Sequence, residues 1–336
     1  MNNYRKILGG LLGAAVGDAM GSPTETRSTA QIIKKFGGMV DTFLTPPDDV
    51  FARGFEKGSV SDDFSLAKST AEEIIKNKGV VDDEVAKNAL INWSKTPYYI
   101  LAGPTTVAAV NEMLGLSSDN PKSFLSYDSA KGSDGGAMKI SPVGLVSNGD
   151  VDKAINDAIT ICKPTHFNST ALAGACAVAA AVSAALKKDA TVDSVIEAGL
   201  KGAYEGDRYA KENDKELANP SVYKRIVLAV EIAKKCNGDM ALAMQELADV
   251  IGSGLSAAET VPCAFGILKA SDGNTIKAIV AAVNIGNDTD TVATIVGAMA
   301  GTLEEYYNEE YLKIIDEVNN YDLRKLAKEL DEVRND

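Results

Sequence analysis

Apolar residues recur at three- and four-residue spacing through nearly every segment of the chain, while alternating Val/Ile/Thr/Tyr stretches of strand type are almost absent. The pattern predicts an all-α fold, with helices over residues 4–20, 63–77, 81–93, 105–115, 151–161, 168–187, 191–203, 220–236, 239–248, 256–270, 274–283, 290–306, 309–317 and 321–332. The run from Ala171 to Leu186 is hydrophobic almost all round, which predicts a helix at the centre of the bundle. Ala293, Gly297 and Gly301 recur every fourth residue, a spacing of small side chains that lets another helix approach closely. Irregular stretches are expected at 37–61, 116–150 and 205–219, the first two rich in Gly, Pro, Ser and Asp as functional loops often are. No low-complexity linker divides the chain and no fixed-period repeat marks a solenoid, so residues 1–336 are read as a single domain.

Composition sharpens this picture. Forty-five percent of the 336 residues are apolar but only 6% are aromatic, so the core is built on Ala, Val, Leu and Ile and its helices should pack closely. A net charge of −13 argues against a nucleic-acid partner, since phosphate binding needs a concentrated Lys/Arg face. Pairs such as Lys34-Lys35 and Lys187-Lys188 read as solvated faces. Cys162, Cys176, Cys236 and Cys263 have neither C-x-x-C pairing nor the density of a disulfide scaffold, and are expected to be plain thiols in a reducing compartment. Arg5-Lys6 followed by Ile7 to Val16 superficially copies a signal peptide, but Asp18 interrupts the pattern. No run reaches the roughly 18 apolar residues of a membrane span. A soluble cytoplasmic protein, with no membrane partner, is therefore expected.

Two acidic clusters carry the chemistry. Ser61-Asp62-Asp63 and Asp288-Thr289-Asp290-Thr291 consist of hard oxygen donors in segments otherwise small and apolar, and each precedes an apolar helical run. Hard divalent cations such as Mg²⁺ take such ligands. Asp62 and Asp63 are adjacent and so point in different directions on a helix. Asp288 and Asp290 lie about 200° apart on one, so both can face one ion only if the chain there is a turn entering the helix, which Gly286-Asn287 could supply. Either cluster alone also reads as an N-cap, because Ser, Thr and Asp are preferred there.

Further segments make the chain resemble the ADP-ribosylglycohydrolase family. Gly9 to Glu25, with Gly17-Asp18-Ala19-Met20-Gly21 and the glutamate after it, looks like the family's first helix. Ser61-Asp62-Asp63 is similar to its Thr-Asp-Asp, and Asp288 to Thr291 to its Asp-Thr-Asp-Thr. Gly132 to Pro142 is similar to its Gly-rich loop, and Thr165-His166 to the Thr-His before a long Ala-rich helix. The matches are collinear from about residue 5 to 305.

The resemblance implies a single compact orthogonal multi-helix bundle that binds two Mg²⁺ ions, with Mn²⁺ a possible substitute, and cleaves the bond at C1″ of an ADP-ribosyl ribose on a protein or small molecule. Carried over by position, Ser61, Asp62, Asp63, Asp288, Asp290 and Thr291 would be metal ligands, and Glu25, Asp62, Asp63 and Asp290 catalytic groups. Ser133, Asp134, Gly135, Gly136, Ala137, Met138 and His166 would contact substrate. Adjacent glycines also make independent sense as a phosphate cradle, since backbone N–H groups approach an anion closely where no Cβ intervenes. His166 is the only histidine, so a His-based metal site or triad is impossible. It is either an interior hydrogen-bonded imidazole or, as the resemblance implies, a ligand-side binder rather than a base. Glu25 is an ordinary loop carboxylate by itself and a mobile glutamate near the metals by resemblance. Ser61 departs from the family's threonine but keeps the oxygen. Phe64 replaces a threonine after Asp-Asp and Asn287 a glycine before Asp-Thr-Asp, and both put substrate identity in doubt. Hydrolysis of nucleosides or other small ribosylated compounds, and a non-catalytic ADP-ribose-binding or structural role, remain open as alternatives. So does the oligomeric state.

Overall fold

A computed structural model describes residues 3–116 and 129–334. The chain runs through α1 (Tyr4–Gly21), α2 (Thr29–Phe36), α3 (Asp62–Lys76), α4 (Asp83–Trp93) and α5 (Pro104–Met113). After the glycine-rich loop come α6 (Ser141–Val146), α7 (Val151–Cys162), α8 (Ser169–Ala185), α9 (Val192–Glu212), α10 (Val222–Lys235) and α11 (Met240–Val250). The last five helices are α12 (Ala257–Ala270), α13 (Thr275–Asn284), α14 (Thr289–Glu304), α15 (Glu309–Asn319) and α16 (Leu323–Val333). The fold is all-α, and among the described residues the only β-type pairings are two isolated bridges, Ser28 with Gly286 and Ser133 with Ser256.

Most helices start where a polar side chain can satisfy the free N–H groups of their first turn. Ser61 accepts from Asp63 N–H ahead of α3, Asn168 from Ala171 ahead of α8, and Asn274 from Lys277 ahead of α13. Every residue of α8 is buried, as expected for a segment apolar on all faces, and α7, α9 and α12 pack around it. The closest packing is between α1 and α14. A Cβ on Gly13 would sit 2.2 Å from Gly297 O, one on Gly17 2.2 Å from Ala293 O, and one on Gly21 2.5 Å from Asp290 Cα. Glycine at every fourth position of α1 thus lets the two backbones touch, and this contact carries the end of α1 against the start of α14, where the second acidic cluster lies.

Three stretches differ from the sequence expectation. Residues 29–36 form α2, a two-turn helix fixed by a capping box between Ser28 and Gln31 and closed by Gly37 in a left-handed conformation, too short to register as a period. Ser141–Val146 is helical within the expected 116–150 loop, started by Pro142 in its first turn, while 117–128 of that stretch lie outside the described residues. α9 runs on to Glu212 rather than ending near 203. Its extra turns are polar and are held by pairs such as Arg208 with Glu205 and Glu212, which hydrophobic spacing does not reveal.

Candidate active site

The two acidic clusters meet at the N-terminal ends of α3 and α14. Gly286 (φ 98°) and Asn287 (φ 62°) both take left-handed conformations, so the chain enters α14 through a sharp turn. That turn brings Asp288 and Asp290 to the same side. A third carboxylate is delivered by backbone pairing: Thr26 N–H donates to Asn287 O and Asn287 N–H to Arg27 O, both at 2.8 Å, zipping the segment after α1 to the turn before α14. Thr24 Oγ1 lies 2.9 Å from Thr289 Oγ1, and Thr289 Oγ1 donates to Gly21 O at 3.0 Å. Carboxylate oxygens of Glu25, Asp288 and Asp290 consequently lie within 4.8 Å of one another, all three residues buried.

Asp18 couples the first cluster to this group. It is completely buried on α1, and its carboxylate accepts from Ser61 N–H at 2.8 Å and from Phe64 N–H at 2.9 Å, clasping the first turn of α3. Ser61 Oγ meanwhile accepts from Asp63 N–H at 3.1 Å, so its hydroxyl caps the helix and keeps a free lone pair. Asp63 is buried and Asp62 half-buried, the divergence expected of neighbours on one turn.

Electrostatically the centre is strained. Burial raises the carboxyl pKa of Glu25, Asp62, Asp63 and Asp288 well above the usual carboxylate range, and neighbouring negative charges push the same way. Burial and Asp290 hold Asp18 at about 7, and burial and Asp288 hold Asp290 at about 8. Glu25 hydrogen-bonds Asp290, Asp290 hydrogen-bonds Asp288, and Asp288 hydrogen-bonds Asp134, a chain that requires shared protons when no cation is present. Asp63 Oδ2, Asp288 Oδ2 and Asp290 Oδ1 are buried without a hydrogen-bond partner. Buried unpartnered carboxylate oxygens are costly unless an ion compensates them, and this oxygen-only donor set fits a hard divalent cation.

The glycine-rich loop lies beside this centre. Its backbone is fixed by Ala257 N–H donating to Gly132 O at 3.0 Å, Asp134 N–H to Leu255 O at 3.1 Å and Asn168 Nδ2 to Lys131 O at 2.8 Å. Residues Asp134–Gly136 form a 3₁₀ turn whose first N–H groups, at Gly135 and Gly136, have no acceptor within it. Ala137 and Met138 N–H both donate to Asp134 O, so the backbone donors left without an acceptor are those of half-buried Gly135 and buried Gly136, with the half-buried Ser133 beside them. Asp134 turns inward: its side chain accepts from Thr260 Oγ1 at 2.5 Å and reaches Asp288, with burial raising its pKa to about 6. His166 packs beneath the loop, where a Cβ on Gly135 would come within 2.7 Å of its Nε2. Both ring nitrogens have protein partners, Nδ1 with Thr165 Oγ1 at 2.7 Å and Nε2 with Ser133 Oγ at 3.2 Å.

Asp134 therefore joins the acidic centre rather than standing only in the loop, and Thr291 hydrogen-bonds Asp288 from the first turn of α14. Phe64 is wholly buried, 6.3 Å ring to ring from Tyr321, and Asn287 holds a left-handed conformation that asparagine tolerates nearly as glycine does. The sequence pattern alone assigns no role to Asp18 or Lys139. A charged residue within a run of small apolar residues, as Asp18 is within Ile7 to Met20, was the signal available for the first. A cavity of about 700 Å³ lies beside the zipped segment, lined by Met39, Met244, Thr26 and Asn287 among others and by none of Glu25, Asp62, Asp63, Asp134, Asp288 or Asp290.

An all-α bundle that brings the buried oxygens of Glu25, Asp288 and Asp290 to one point has the donor set of a cation site. The chain belongs to the ADP-ribosylglycohydrolase family, whose sequence profile matches residues 1–336, and that membership supports a glycosidic hydrolase. It is 30% identical to the uncharacterized protein YegU of Escherichia coli K12 over 339 aligned positions, covering 98% of this chain and 97% of that one. It is 25% identical to the ADP-ribosylhydrolase ARH3 of Gallus gallus, covering 91% of this chain and 86% of the relative. A solved structure of an ADP-ribosylglycohydrolase-related protein complex shares the fold, with a TM-score of 0.69 at 20% identity over 99% of both chains.

Proposed function

We propose that this protein is a Mg²⁺-dependent hydrolase that cleaves the glycosidic bond at C1″ of an ADP-ribosylated protein or small molecule. The observation that carries the reading is the convergence of Glu25, Asp288 and Asp290 with unpartnered oxygens on Asp63, Asp288 and Asp290, in a chain of this family. Ser61, Asp62, Asp63, Asp288, Asp290 and Thr291 would hold two ions, with Mn²⁺ a workable substitute because it too takes oxygen ligands. When bound, the ions would neutralise the carboxylates, polarise ribose hydroxyls and lower the pKa of water.

The chain's own groups supply the rest. Ser133 Oγ and the Gly135 and Gly136 N–H groups bind the diphosphate and fix the ribose over the acidic centre. Glu25, tethered through Thr26 to the turn before α14, takes the proton of the attacking water as its oxygen bonds C1″. The leaving group departs with the bonding electron pair and receives the proton that Glu25 took from the water, so the hydrolysis is proton-neutral overall. Buried carboxylates around C1″ stabilise the positive charge that develops there. Asp18 positions the Ser61–Asp63 turn and does not touch substrate. We read residues 1–336 as one functional unit, since one apolar cluster extends from Ile7 to Leu330. A cytoplasmic location is supported by four buried, unpaired cysteines. No helix among the described residues is long and apolar enough to cross a membrane.

The nucleoside reading drew its ground from Phe64 and Asn287, and burial of the first and backbone fit of the second remove much of it. Mass spectrometry of arginine-, serine- and O-acetyl-linked ADP-ribose incubated with protein and Mg²⁺, beside a nucleoside panel, tests the proposal. Release of free ADP-ribose from at least one linkage is expected. Release from none of them would overturn it, and release of base from nucleosides alone would select the other reading.

A further inference from the structure

Lys139 is wholly buried, yet its ammonium has no carboxylate partner among the described residues. Its Nζ donates to Thr165 Oγ1 at 3.0 Å. Thr165 Oγ1 is 2.7 Å from His166 Nδ1, and His166 Nε2 is 3.2 Å from Ser133 Oγ, which is half-buried at the turn Asp134–Gly136. Four side chains thus form one continuous file from a buried cation to the loop.

The direction of this file follows from counting protons. Burial lowers the Lys139 pKa below the ordinary lysine value, and in its ammonium form Lys139 can only donate. Thr165 Oγ1 therefore accepts from Lys139 and has a single proton of its own, for which His166 Nδ1 is the acceptor at hand. A neutral imidazole that accepts at Nδ1 must carry its proton at Nε2. Nε2–H then donates to Ser133 Oγ, and the Ser133 proton is left to point away from histidine. The opposite arrangement, with Nδ1–H donating to Thr165, puts two donors on one hydroxyl and leaves the threonine proton without a partner in a buried site. Burial and the Lys139 charge hold His166 down to about 3, so it stays neutral, and burial pushes the Cys162 thiol beside Lys139 up to about 11, so it offers no anion.

We propose that Lys139 is a positioning residue that sets the polarity of the file Lys139–Thr165–His166–Ser133, so that Ser133 presents its hydroxyl as a donor to a diphosphate oxygen at the Gly135-Gly136 turn. This rests on the proposed function, and it goes further by assigning the role of a buried cation that never meets the ligand.

His166 is the only histidine in the chain, so a ¹⁵N-histidine-labelled sample gives a single imidazole spectrum. The expected result is protonated Nε2 with unprotonated Nδ1 at neutral pH. A protonated Nδ1 in the unaltered protein would overturn the proposal whatever the variants do. In Lys139→Met the tautomer is expected to shift toward Nδ1–H, with affinity for ADP-ribose and for inorganic pyrophosphate falling about 10-fold, and Lys139→Arg should restore both. Ser133→Ala should cost a similar factor in the parent and little more in the Lys139→Met background. Full additivity of the two would sink the coupling. If ADP-ribose does not bind but pyrophosphate does, with the same dependence on Ser133, the proposed function fails and the file stands. If Lys139→Met does not fold, the tautomer of the unaltered protein and the Ser133→Ala titration decide.

Discussion

Asp134 belongs to two regions that solve opposite problems. Its backbone opens the glycine turn, where nearly every polar group has a protein partner, and its side chain enters the acidic centre, where buried oxygens on Asp63, Asp288 and Asp290 have none. The turn is mostly satisfied as it stands and holds only the Gly135 and Gly136 N–H groups and the Ser133 hydroxyl proton without a protein acceptor. The centre is a set of like charges held together by the helix contacts of α1 with α14, against their own repulsion. A satisfied region is preformed for a ligand, and a frustrated one is preformed for an ion. Perturbing the two should therefore give different signatures.

The largest difference is expected from Asp290→Ala. Asp290 sits between Glu25 and Asp288, so its loss should reduce turnover by at least about 10³-fold and weaken Mg²⁺ binding. In metal-free protein the same change relieves repulsion and should leave thermal stability equal or higher. Near-normal turnover in this variant would remove the metal assignment.

The pH dependence of metal-free stability comes next. Asp290 titrates near 8 and Asp18 near 7 in the fold, against an ordinary 3.8. Between those limits the folded state holds protons the unfolded chain has lost, so stability falls as pH rises from about 4 to about 8, by about 1.4 kcal/mol per pH unit for each proton retained. Saturating Mg²⁺ should flatten this fall and release protons on binding. Urea titrations at several pH values, and calorimetry in buffers of different ionisation enthalpy, measure both. Stability that rises with pH over that window would mean the centre is not strained as described.

Much of the fold was legible because helical spacing and small residues leave a periodic trace. The fourfold repeat of Ala293, Gly297 and Gly301 pointed to a close helix contact, and α1 provides it with Gly9, Gly13 and Gly17. The convergence of the two acidic clusters was readable as a possibility from their oxygen chemistry and their helix-start positions. What sequence could not reveal depends on long-range pairing. Glu25 reaches the centre because Thr26 and Arg27 pair with Asn287 about 260 residues away, and Asp18 acts through backbone N–H groups of another helix. Lys139 escaped notice because burial without a counter-charge leaves no mark in composition.

The α1–α14 contact itself is tested by Gly17→Ala. The new Cβ would meet Ala293 O at 2.2 Å, so the helices must separate by several tenths of an ångström or more. A loss of about 1–3 kcal/mol is expected. Because Asp18 is the next residue, Mg²⁺ affinity should fall with stability. Gly135→Ala meets a side chain instead, His166 Nε2 at 2.7 Å, and should disturb ADP-ribose binding with Mg²⁺ binding unchanged. If both variants lose both ligands equally, the two regions are not separable.

The smallest effect is expected at Asn287. Its φ of 62° lies where asparagine and glycine are tolerated but β-branched residues are strained. Asn287→Gly keeps the backbone pairing with Thr26 and Arg27 and changes only chain entropy, so stability should move by less than about 1 kcal/mol and Mg²⁺ affinity hardly at all. Asn287→Val should cost about 1–2 kcal/mol from left-handed strain. In that case the turn that aims Asp288 relaxes, and metal affinity should drop with it. A glycine variant that lost metal binding would show that the Asn287 side chain, rather than the backbone it permits, serves the acidic centre.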